Sequence, residues 1–126
     1  MTRFFCATFS VLLLLMPMTA SACGACIEDK MAATYDYDAV QKAHAQKRTV
    51  VFCDVQDRIA PEKLRQAAAS TTGIDPGSIR ISSEPAALSF ALDTRKQSPD
   101  AAVASIASAL KGKVRLSIIR STAPGK

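Results

Sequence analysis

Tryptophan is absent from this 126-residue chain, tyrosine occurs twice and phenylalanine five times. None of them is among the residues expected on the open sheet face, which therefore lacks an aromatic platform for base stacking, and nucleic acid is not expected as a partner. Glycine is also scarce, with five residues and no glycine-rich phosphate loop among them. Histidine occurs once, at His44, so a nucleophile–base–acid set would have to use that residue, and no neighbouring sequence signal identifies one. The acids Glu28, Asp29, Asp36 and Asp38 cluster, but Glu28 and Asp29 point in different directions on a helix. Hydrolytic chemistry is weakly supported, and binding is the expectation over catalysis.

Long apolar runs are missing too, except at the start. The first 22 residues, MTRFFCATFSVLLLLMPMTASA, carry Arg3, an apolar run from Val11 to Met16, and the small residues Ala20 and Ala22. These are the three parts of a secretory signal peptide. The run is shorter than the roughly 20 residues needed to cross a bilayer. Cleavage after Ala22 would leave 104 of the 126 residues, enough for one domain. The formal charge falls from +5 to +4, because Arg3 leaves and no acid does. Such a dispersed positive balance does not mark a nucleic-acid surface. The expected location is the periplasm or the exterior. Cys23 would open the mature chain, so lipidation of Cys23, and with it a membrane anchor, stands as an alternative.

Cysteine is sparse but unevenly placed. Cys6 lies in the leader, which leaves Cys23, Cys26 and Cys53. Three thiols cannot all pair within one chain in an oxidising compartment. Cys23-Gly24-Ala25-Cys26 is a C-x-x-C at the expected opening of a helix, where free N–H groups and the helix dipole favour thiolate. That chemistry serves soft-metal binding and disulfide exchange alike. Cys53, Met31 and His44 are the further candidate ligands. Cys53 shares a strand face with Val51 and Val55, which also suits a small core residue.

Helix is predicted from Cys26 to about Gln46, interrupted near Asp36 to Asp38, with Ile27, Met31 and Tyr35 as one apolar stripe and Ala39, Val40, Ala43 and His44 as another. Thr49 to Val55 is β-branched and short, and reads as a strand. Pro61 to about Thr72 is a helix that ends before Gly73, with Leu64, Ala67 and Ala68 buried. Asp75-Pro76-Gly77 is a turn. Ser78 to Ser83 and Ala87 to Asp93 alternate as strands around the break at Glu84-Pro85. Ser98 caps a helix carrying Val103, Ile106 and Leu110, which Gly112 ends. Val114, Leu116 and Ile118 form a last strand, and Ser121 to Lys126 is expected to fray.

The order from Thr49 is thus strand, helix, strand, strand, helix, strand. It predicts an α+β fold, a ferredoxin-like βαββαβ sandwich of residues 49–120. A helical C-x-x-C segment of residues 23–48 precedes it, and a flexible tail of residues 121–126 follows. Arg80, Ser82, Ser89, Ala91, Arg115 and Ser117 would line the sheet face away from the two domain helices, and the N-terminal segment would cover part of that face or pack on an edge.

The strand and helix order from Thr49 to Arg120 resembles the heavy-metal-associated domain, a ferredoxin-like module that carries soft metals between partners through two cysteines. In that family the C-x-x-C sits in the loop after the first strand. Here that loop, Asp54 to Pro61, contains neither Cys23 nor Cys26, and Cys53 is the one thiol in its neighbourhood. The resemblance implies handling of Cu(I) or another thiophilic metal and transfer to an envelope partner. The functional expectation is therefore soft-metal binding through Cys23 and Cys26. Thiol–disulfide exchange and a non-catalytic envelope interaction domain, lipidated or not, are the alternatives.

Overall fold

A computed structural model describes residues 27–124. The leader, Cys23 and Cys26 lie outside the described residues.

β1 (Thr49–Val55) forms where the sequence runs TVVFCDV, and six of its seven residues are buried. A half-buried strand would alternate, and a near-continuous apolar run instead marks a strand covered on both faces. β1 occupies the middle of an antiparallel four-stranded sheet together with β2 (Arg80–Ser83), β3 (Ala86–Leu92) and β4 (Leu116–Thr122), in the spatial order β2-β3-β1-β4. With α3 (Pro61–Ala69) after β1 and α4 (Pro99–Ala109) after β3, this is the ferredoxin-like arrangement the sequence order predicts.

Both domain helices begin with proline, which lacks the N–H that a first helical residue leaves unpaired. Ser98 caps α4 by accepting from the Ala101 amide at 3.1 Å, whereas Ala60 gives α3 no side-chain cap. Leu64, Ala67 and Ala68 of α3 and Ala102, Val103 and Ile106 of α4 pack on one sheet face. Val51, Cys53 and Val55 of β1 and Leu88, Phe90 and Leu92 of β3 meet them there. Burying each larger aliphatic or aromatic side chain stabilises the fold by about 1.5–3 kcal/mol.

The opposite face is covered as well. Ahead of β1 lie α1 (Ile27–Thr34) and α2 (Tyr37–Ala45), separated by Tyr35 and Asp36 where the sequence predicts an interruption. Val40 and Ala43 of α2 pack on Val50, Phe52 and Ala91, with Met31 and Ile119 beside them. The N-terminal helices thus form a third layer over the sheet face and not an edge packing.

Three details depart from the sequence expectation. The stripe of Ile27, Met31 and Tyr35 is not a buried face, because Ile27 and Tyr35 are 62% and 53% exposed while Met31 packs against the apolar cluster. Tyr35 instead stacks on Phe52, with ring centroids 6.5 Å apart. Residues Pro76–Ser78 form a short 3-10 turn capped by Asp75, so β2 starts at Arg80.

The last strand is shifted toward the C-terminus. Val114 is buried ahead of it, and the Arg115 amide donates to the Asp57 carboxylate at 2.8 Å. β4 then continues through Ser121 and Thr122, which pair with Val51 and Val50, two residues past the predicted end. A bulge opposite the Phe52/Cys53 step inserts Ile119. Leu116 and Ile118 pack with the inner core while Ile119, on the other face, joins the outer cluster.

Candidate functional site

Cys53 lies at the centre of β1, between Leu88 of β3 and Ile118 of β4, and is 1% exposed. Loss of solvent pushes its thiol up from 9.0 to about 12, and the neighbouring Asp54 carboxylate adds to the rise. A metal ligand or nucleophile must be the thiolate, so Cys53 serves as a small core residue.

Met31 extends from α1 into the cluster of Val40 and Phe52, where its thioether fills apolar space. His44 sits near the end of α2, and its Nε2 is buried with no hydrogen-bond partner among the described residues. Cys53 is on the face toward α3 and α4, whereas Met31 is on the face toward α1 and α2. The fold therefore does not gather Cys53, Met31 and His44 into one ligand set. Among the described residues, no three of the His, Cys, Asp and Glu side chains form a metal-holding group.

Cys23 and Cys26 lie outside the described residues, but the element that follows them is well fixed. Cys26 is the residue before Ile27, where α1 starts. Lys30 of α1 pairs with Asp54 of β1, and both side chains are largely shielded from solvent. One turn later the Ser89 hydroxyl donates to the Thr34 carbonyl at 3.1 Å, which ties the end of α1 to β3.

Asp36 extends the anchoring into α2. One carboxylate oxygen accepts from the Ala39 amide at 3.1 Å, and the other meets the Arg80 guanidinium at 3.0 and 3.1 Å. The Ala39 N–H and then Arg80 hold the Asp36 carboxyl below the ordinary carboxylate value. α1 is thus a rigid base for whatever precedes it.

Sequence periodicity missed these anchors. Lys30 and Asp54 are 24 residues apart, and Asp36 and Arg80 are 44 apart. The only hint in the sequence is Asp54 itself, an acid inside an apolar strand. Burial of a charge on a covered face calls for a paired cation.

The first turn of α1 carries Glu28 and Asp29, both exposed. Their negative charge offsets the positive end of the helix.

No helix among the described residues is long and apolar enough to cross a membrane. Compared with known proteins, the chain matches no family model, no curated protein and no solved structure.

Proposed function

We propose that the mature protein binds a soft metal ion such as Cu(I) outside the cytoplasm, through Cys23 and Cys26, and passes it to an envelope partner by ligand exchange. The observation that carries this reading is the fate of the third thiol. Cys53 is sealed in the core with its thiol pushed up to about 12, so the chemistry open to the remaining cysteines belongs to the C-x-x-C pair. That pair directly precedes a helix bound to the sheet by the Lys30 and Asp54 pair and by Ser89. The likeness of the βαββαβ order to heavy-metal-associated domains supports the same reading, with the thiols moved from the first loop to the N-terminal segment.

Disulfide exchange would use the same two sulfurs. Glu28 and Asp29 follow Cys26 by two and three residues in the sequence, and their negative charge would favour a bound cation over a free thiolate.

The test is competition between the reduced protein, residues 23–126, and a chromophoric Cu(I) chelator under anaerobic conditions. About one ion per chain is expected, with C23S/C26S losing it and C53V retaining it. Equal binding by C23S/C26S would overturn the assignment. Mass measurement of the exported protein decides the lipid alternative, because an adduct on Cys23 removes that sulfur from metal work.

A further inference from the structure

The layer opposite α1 and α2 holds a cleft that the cysteine chemistry does not use. It lies between α3 and the end of α4, closed at one side by the segment that follows β1, and its volume is about 550 Å³. That is within the roughly 300–1,000 Å³ of small-molecule sites.

Its rim is cationic. Arg58, Lys63, Lys111 and Lys113 all line it, and no aspartate or glutamate does among the described residues. Four other cations, Lys30, Arg48, Arg80 and Arg95, each meet a carboxylate. None of the four rim cations has an ion-pair partner among the described residues. Four like charges around a concave, partly apolar wall focus a positive potential inside it.

The floor is apolar. Ala67 and Val114 are buried, and Ile59 and Leu110 are half-buried against the main core. At the end of α4 the carbonyls of Ile106, Ala107 and Ser108 are already engaged, accepting from the amides of Leu110, Gly112 and Lys111. At the other wall Ala60 leaves the positive end of α3 without a side-chain cap.

We infer that this cleft binds a small amphipathic anion, a carboxylate or phosphate head on a short alkyl or aromatic body. The head sits among the lysines, and the body covers Ile59, Leu110 and Val114. An inorganic anion alone would leave the floor wet, and a neutral apolar molecule would leave the four cations unanswered.

The experiment is amide NMR of the full mature chain, titrated separately with octanoate, octyl phosphate and 1-octanol, with anionic phospholipid vesicles as a further arm. Saturable shifts are expected at Ala67, Leu110 and Val114 with octanoate or octyl phosphate, and the tighter of the two identifies the head. Binding of 1-octanol should be roughly tenfold weaker, and K63Q/K111Q should weaken the anion by a similar factor. S70F, which places a ring in the cleft and keeps every charge, should block it. The inference fails if neither anion saturates, if the shifts fall elsewhere, if 1-octanol binds as well as octanoate, or if only vesicles bind. The Cu(I) titration of S70F should be unchanged, so this result and the metal result can fail independently.

Discussion

The fate of Cys53 gives the most quantitative test. In the C23S/C26S mature chain it is the only thiol, and its environment fixes its reactivity. With the thiol pushed up from 9.0 to about 12, the thiolate fraction near pH 8 drops from about one in ten to about one in ten thousand, roughly a thousandfold. A residue 1% exposed also reacts only when the sheet opens, which slows it further. Ellman labelling of the native protein should therefore be at least about a thousandfold slower than in guanidinium.

The same shift links to stability. Below pH 9 both states hold the proton and nothing is lost. Between 9.0 and about 12 the unfolded chain gives it up while the folded chain keeps it, so stability falls as pH rises, by at most about 1.4 kcal/mol per pH unit. C53V, which fills the site without a titrating group, should lack that component of alkaline destabilisation. C53S should instead cost about 1–3 kcal/mol at neutral pH, by burying a hydroxyl among apolar neighbours. Native labelling as fast as that of an exposed thiol, or identical alkaline profiles for C53V and its parent, would refute the reasoning.

Other consequences can be checked by urea unfolding. Gly73 has φ +90, and a Cβ there would lie 3.2 Å from Leu92 Cδ1 and 3.3 Å from the Asp93 carbonyl, so G73A should lose about 1–2 kcal/mol. Gly77 has room, its nearest neighbour being Asp75 Oδ1 at 3.6 Å, and G77A should be close to neutral. A double-mutant cycle of K30M and D54N should give a favourable coupling of about 1 kcal/mol or more, because the pair is shielded on the covered sheet face. Asp36 titrates below its ordinary 3.8 when folded, so its contribution is present above that pH and fades as acid drives the folded carboxyl to protonate. D36A should lower the urea midpoint at neutral pH and show a shallower loss of stability on acidification than the parent.

Much of the fold was readable from local signals, and the failures share one cause. Proline at the first helical position placed α3 and α4, β1 has its predicted bounds, and the order of elements specified the sheet. What local pattern could not supply was contact between distant residues. α1 is fixed through Lys30 and Thr34 more than through its apolar stripe, and the register of β4 shifts at Ile119, opposite the Phe52/Cys53 step. The third layer did have a signal, the run of apolar residues in β1 where alternation was the alternative. Of the candidate ligands, the burial of Cys53 followed from Val51 and Val55 on the same strand face. The cationic cleft was invisible because its lysines and arginine come from two segments some fifty residues apart that only tertiary packing joins.

With helices on both sides, the main-chain groups still open to a foreign strand lie along the outer borders of β2 and β4. β2 offers four residues, less than the usual length of a stable pairing partner. β4 is longer, yet its ribbon bends at Ile119 and carries exposed Arg120 beside exposed serines. A kinked and charged border resists lengthening by another molecule, so copies of this domain find little free edge along which to zip together.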